Sequence, residues 1–249
     1  MQAFAQVVAE ADGRGGTRLA VLRGESPLLL RRTGGRSGGD ATVHLVGGAA
    51  GPLRGDDLRL EVVVGEGAHL TVRSVAAQLA LPGRPAPASR LVIHATVAGT
   101  LRWLPEPLIA AAGCDHHTST VVEVAEGGEL LWRDDLVCGR HAEPSGDARL
   151  DTTIRYAGRT LYRHDLGVGR HADGWDGAAV LGGGRAVGTV VAIPGLPGVL
   201  PASPHAALMP LAGPGVLATA VGVDIRQVQA ALGPLCEPAG AARTVMEAA

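Results

Sequence analysis

The sequence predicts an all-β protein, built mainly of antiparallel hairpins in a layered or solenoid-like β-stack, with one short C-terminal helix. Three observations carry this. Apolar and polar residues alternate with a period of two along much of the chain, the pattern of half-buried strands. Glycine-bearing turns return at a spacing of roughly 30 residues, which is that of successive strand–turn–strand units. The apolar fraction is 46% but aromatics make up only 2%, so the core must be built from Val, Leu, Ile and Ala. The 37 Gly and 16 Pro are spread without a collagen-like period and supply turns.

Taken in order, Leu58, Leu60, Val62 and Val64 form one apolar face, Gly65-Glu66-Gly67 is a turn, and Ala68, Leu70 and Val72 resume the alternation. The pattern returns at Val122-Glu123-Val124, Ala125-Glu126-Gly127-Gly128, Leu130 and Trp132, with Glu66/Glu126, Gly67/Gly127, Leu70/Leu130 and Arg73/Arg133 as identical pairs. Two weaker copies turn at Ala98-Gly99 and Ala157-Gly158. Each turn carries Gly because tight turns need positive φ at low cost. Stacked units of this kind bury their single apolar faces only against one another.

Further strands are expected at 186–193 and 215–222, separated by a Pro/Gly-rich segment. A helix follows, with Asp224 as N-cap, Gln227 completing a capping box, and Gly233-Pro234 as the stop. Residues 1–237 are expected to form a single scaffold domain and 238–249 a flexible tail, with loops at 31–40 and 82–90.

Composition narrows the function. The net charge of −2, with no basic block beyond Arg31, Arg32 and Arg36, lacks the footprint of a nucleic-acid binder. Cys114, Cys138 and Cys236 are too few and too scattered for a disulfide framework or a CxxC metal site, which fits a reducing compartment. The first residues lack the basic-then-apolar order of a signal peptide, and the weakly polar stretch 187–217 is too interrupted by Pro and Gly to span a membrane. A cytoplasmic protein is expected.

Cys114-Asp115-His116-His117 is the most tempting metal-ligand group, since these residue types suit Ni²⁺ or Zn²⁺. Adjacent histidines on a strand point to opposite faces, so His116 and His117 do not readily share an ion, and the bland reading is a solvated strand end. No HExxH or GxSxG motif is present. Gly182-Gly183-Gly184-Arg185 lacks the ending of a phosphate loop and reads as a hairpin turn. The paired carboxylates Asp134 and Asp135 read most simply as exposed, solubilising groups. The stretch Leu101-Arg102-Trp103-Leu104-Pro105-Glu106-Pro107 is the best pointer. Its prolines block ladder donation and mark an edge, bend or loop. Its Trp is either core packing or an interface anchor.

At this stretch the chain resembles the UreD/UreH urease accessory proteins. The likeness covers about residues 40–235 and rests on Arg54-Gly55-Asp56-Asp57-Leu58, Trp103-Leu104-Pro105-Glu106-Pro107, the hairpin through Glu126-Gly127, and Leu136-Val137-Cys138-Gly139-Arg140, in that order. The resemblance implies a non-enzymatic maturation factor for urease. Its implied partners are the urease apoprotein, a helical UreF-like accessory protein and a UreG-like nickel GTPase, with no tightly bound cofactor and only transient Ni²⁺. It also implies a polar internal route for the ion. Carried over by motif, Asp56 is the leading polar position, with Arg140 close behind; His116 and His117, singled out by residue type, are the other candidate contacts for a passing ion. Trp103, Pro105, Glu106 and Arg140 are candidates for structure or partner contact. A β-sandwich ligand-binding module and a His116- or His117-based metal-dependent hydrolase are the competing readings.

Overall fold

The computed structural model describes residues 1–34, 39–201 and 203–237, so the expected tail and Arg36 lie outside the described residues. Its strands, in chain order, are β1 (Gln2–Ala11), β2 (Thr17–Gly24), β3 (Leu28–Thr33), β4 (Ala41–Gly47), β5 (Asp57–Val64) and β6 (His69–Ser74). They continue with β7 (Gln78–Ala80), β8 (Ser89–Val97), β9 (Thr100–Leu104), β10 (Leu108–Ala110), β11 (Asp115–Val124) and β12 (Glu129–Cys138). The last are β13 (Asp147–Tyr156), β14 (Arg159–Val168), β15 (Ala186–Ile193), β16 (Ala206–Pro210) and β17 (Val216–Gly222). The helix α1 (Ile225–Leu232) and a 3₁₀ turn at Gly233–Cys236 close the described chain.

These strands form two stacked sheets. Sheet A runs in the order β14-β13-β11-β8-β5-β1-β2, and sheet B in the order β16-β17-β15-β12-β9-β6-β4-β3, with β10 and β7 as a side strip. The repeating coil puts one strand in each sheet. β5 lies in sheet A and β6 in sheet B, then β8 and β9, then β11 and β12, with parallel pairing β5–β8, β8–β11 and β11–β13 on one side and β6–β9 and β9–β12 on the other. Inward residues of both sheets, among them Leu60, Val62, Ile93, Leu101, Val122 and Trp132, form the main core.

The all-β, solenoid-like stack therefore stands, but the hairpin assignment needs correction. Three of the four Gly turns carry the chain across from sheet A to sheet B, and only Ala157-Gly158 joins antiparallel neighbours, β13 and β14. Alternation and Gly are common to both turn types. What differs is the neighbour that takes the backbone hydrogen bonds, and here it is the next coil. The bonds run through the turns themselves, from Ala98 N to Val64 O (2.8 Å), Ala125 N to Val97 O (2.8 Å) and Glu129 N to Gly99 O (2.9 Å). A Cβ on Gly99 would lie 2.3 Å from Ala68 O, so the coil spacing itself demands glycine there.

Strand limits differ in two of the expected loops, since β3 extends to Thr33 and β8 opens at Ser89. Gly182 to Arg185 ends a long turn-rich crossing from β14 in sheet A to β15 in sheet B and is not a hairpin. At the C-terminus, Asp224 caps α1 by accepting from Gln227 N at 3.0 Å, and Val228, Ala231 and Leu232 cover the outer face of β15 and β17. No helix among the described residues is long and apolar enough to cross a membrane.

Candidate functional site: a carboxylate between two interior cavities

The Pro105-Glu106-Pro107 segment interrupts one strand line of sheet B. β9 pairs with β12 as far as Trp103 opposite Trp132, and β10 resumes with Leu108 opposite Leu136. The adjacent line breaks at the same level, between Ser74 at the end of β6 and Gln78 at the start of β7. Among the described residues, only Glu106 N to Ser74 Oγ (2.8 Å) and Gln78 N to Pro107 O (2.9 Å) bridge this gap. The missing Pro N–H groups explain why the ladder cannot close. Arg133, Asp134 and Asp135 of β12 are left at the level of the break.

Behind the break lies a cavity of about 460 Å³, lined largely by aliphatic side chains such as Leu58, Leu60, Leu91 and Ile93, with Trp103, Thr118 and Asp134 among its polar groups. A much smaller cavity of about 20 Å³ lies beyond, lined by Thr152, His164, Thr189 and again Asp134. Asp134 is thus common to both. Register explains the polar row: Thr120, Thr152 and His164 lie side by side on the inner face of β11, β13 and β14, and Asp134 stands opposite Thr189 across the β12–β15 ladder.

The carboxylate is held by Trp132 Nε1 at 2.7 Å and more loosely by Thr152 Oγ1 at 3.4 Å. Trp132 stacks on Trp103, with ring centroids 4.7 Å apart and planes 6° apart, and the buried Trp103 Nε1 meets no acceptor at hydrogen-bond geometry. Burial pushes the Asp134 carboxyl up to about 6, against the lowering effect of the Trp132 bond. Its neighbour Asp135 points the other way, beneath α1, in a buried ion pair with Arg133 at 2.8 Å. The reading of these two carboxylates as exposed, solubilising groups is therefore corrected. A signal for this was present in the sequence, where both are embedded in an apolar strand between Trp132 and Leu136.

The other candidates fall in several places. Asp56 is buried and accepts from the Met1 ammonium (2.7 Å) and Leu53 N (2.8 Å), so it anchors the first strand. Arg54, beside it, pairs with Asp115 at 3.2 Å. His116 faces inward and is buried, which corrects the solvated-strand-end reading. Its Nδ1 lies 2.9 Å from Ser89 Oγ and its Nε2 3.0 Å from Thr118 Oγ1, so both ring nitrogens are engaged. Burial drives its pKa down to about 4 and His117 adds to the effect, which leaves the ring neutral near pH 7. His117 points to the outer face of sheet A, lowered by burial and by Arg149 and Arg90. The two histidines therefore cannot form one hydrolytic centre. No group of three or more His, Cys, Asp or Glu suited to hold a metal occurs among the described residues.

Trp103 is 3% exposed and belongs to the core, so the indole is not available at the surface of the chain by itself. Pro105 is half-buried and Glu106 exposed at the rim of the strand break. Arg140 is exposed and forms a bidentate pair with Glu143, with Nε to Oε2 at 2.8 Å. This holds the Glu143 carboxyl down at about 2. Asp147, the other acidic residue after Arg140, is buried and gathers the backbone N–H groups of Arg170 (2.5 Å) and His171 (3.2 Å) at the end of β14.

Fold and site together define a two-sheet, largely parallel β-stack with a half-buried acidic group shared by two cavities. The chain belongs to the UreD urease accessory protein family, whose pattern it matches over residues 1–246. It is 46% identical over 242 residues to Urease accessory protein UreD 3 of Streptomyces griseus, covering 93% of this chain and 94% of that one. It is 45% identical over 232 residues to Urease accessory protein UreD of Streptomyces coelicolor, covering 90% and 91%. A further relative, from Frankia alni, is 39% identical over 282 residues, covering 96% and 94%.

Proposed function

We propose that this chain is a cytoplasmic scaffold for urease maturation. It catalyses no reaction of its own and binds the urease apoprotein together with a helical UreF-like protein and a UreG-like nickel GTPase. Nickel is its cargo, and the ion enters the urease active site with the scaffold's help. Family membership over nearly the whole chain supports the urease part.

The single observation that carries the nickel part is Asp134, which faces both interior cavities. An ion entering at the strand break beside Pro105 to Pro107 would pass the Glu106 carboxylate at the rim, then meet Asp134, and then the hydroxyl of Thr152 and the imidazole of His164. Single oxygen and nitrogen ligands met in succession hold a borderline cation weakly enough to pass it on. Asp56, with both oxygens engaged, serves this reading as an anchor, and His116, with both ring nitrogens engaged, as a structural contact within sheet A.

Deleting the gene in its source organism tests the reading. Urease should accumulate with little nickel and little activity, and the wild-type gene should restore both. Asp134→Asn should restore assembly of the complex but only a fraction of the nickel content, measured on purified urease. Normal urease activity in the deletion strain would sink the proposal.

A further inference from the structure

The outer face of sheet B is covered only in part. Helix α1 and the 3₁₀ turn lie over β15, β17 and β12, and this cover ends at β9, where Arg102 Nη2 donates to Cys236 O. The four strands beyond, β9, β6, β4 and β3, contain four Arg and two His and no Asp or Glu. This is uneven for a chain whose net charge is −2.

Register places these groups in rows. Arg31, His44 and Arg73 are consecutive partners across β3, β4 and β6, and Thr33, Thr42, Thr71 and Arg102 form the next outward row. Arg31 and Arg73 are exposed, and Arg31, Arg73 and Arg102 meet no carboxylate among the described residues. The outer face of sheet A differs, because carboxylates are interspersed with its arginines: Arg149 pairs with Asp165, Arg155 with Glu123 and Arg59 with Asp57, and although Arg90 and Arg163 form no ion pair among the described residues, Glu61 and Asp151 share their face. A face on which the exposed guanidinium groups of Arg31 and Arg73 meet no carboxylate among the described residues, set among threonine hydroxyls, is complementary to carboxylates at strand spacing.

We infer that the outer face of β3, β4, β6 and β9 is a docking surface for an acidic face of a protein partner. A nucleic acid is disfavoured as occupant, because three outward arginines on a chain of negative net charge give too small a footprint. That the partner is one of the urease-maturation proteins rests on the function proposed above.

The test uses the full chain and poly-L-glutamate as the probe, at about 50 mM salt where screening is weak. Arg31→Glu/Arg73→Glu should weaken binding about tenfold or more, Arg31→Lys/Arg73→Lys should retain it, and Arg59→Glu/Arg163→Glu on sheet A should stay within about twofold. Both altered arginines of sheet B are exposed, and thermal melts of each variant check that the fold is kept. Equal weakening by the two Glu pairs overturns the inference, as does no weakening by either. A single-stranded oligonucleotide bound as tightly as poly-L-glutamate overturns the protein assignment. A chain ending at Glu237 that binds about tenfold tighter than the full chain would make residues 238–249 the occupant, which also overturns it.

Co-expression with urease and its accessory proteins supplies the second arm. Loss of one partner from Arg31→Glu/Arg73→Glu, with all retained by the sheet A control, supports the inference. Retention of every partner overturns it and leaves the urease reading intact. If the wild type captures none of them, the urease reading fails, and the poly-L-glutamate result decides this inference alone.

Discussion

The residue of most consequence is Asp134, and its environment makes a definite pH prediction. Its folded-state pKa of about 6 lies above the ordinary value of 3.8, so the folded state binds this proton more tightly than the unfolded chain does. The stability from that proton is fully present below about pH 4 and is lost as pH rises through about 6. At neutral pH the charge is a cost on the order of 3 kcal/mol. Asp134→Asn should therefore melt at a higher temperature than wild type at about pH 7.5, with the gap closing as pH falls towards 4, even as nickel delivery declines. The paired indoles give a second prediction. Trp132→Phe removes a charge-assisted donor from a half-buried carboxylate and should cost about 2 kcal/mol. Trp103→Phe removes an N–H that lies near Asp134 but outside good hydrogen-bond geometry, and should cost less, by about 1 kcal/mol in denaturant titrations. Asp134 and Asp135 carry opposite roles although adjacent, because strand geometry turns one into the cavity and the other under α1.

At the scale of elements, the coil turns and the interrupted strand of sheet B do most to set the architecture. Gly99 has two carbonyl oxygens within 2.4 Å of where a Cβ would sit, from Ala68 at 2.3 Å and Gly65 at 2.4 Å. Gly99→Ala should destabilise the fold by about 2–3 kcal/mol in urea titrations, since the turns above and below must move apart. Gly233, at the end of α1 with φ −55°, has open space where a Cβ would go, so Gly233→Ala should be neutral or slightly stabilising. The Trp103 to Pro107 segment was legible as a break, because two prolines exclude a regular ladder. Its effect was not, because the break matters only through its alignment with the gap between β6 and β7 and with Asp134 on β12. Those strands are distant in sequence and adjacent only in the stack.

For the whole molecule, each interior strand is held by a neighbour on both sides, so protection from hydrogen exchange should follow sheet position. Amides of β8, β9, β11 and β12 should exchange slowest, and those of the edge strands β2 and β16 fastest, as read by native-state exchange. A faster β8 or β11 than β2 would contradict the parallel register. The sequence by itself determined the all-β class, the repeating unit, the inward faces at Leu58 to Val64 and Leu91 to Val97, the capped helix at Asp224, and the resemblance to the urease accessory proteins. Those features depend on local alternation, turn chemistry and motif order, which are written along the chain. Only the tertiary structure decided that the turns cross between sheets, that His116 lies inside while His117 lies outside, and that Asp134 stands between two cavities. Hairpin and coil share one local pattern, and which distant strand receives each backbone hydrogen bond is settled only when the coils pack together.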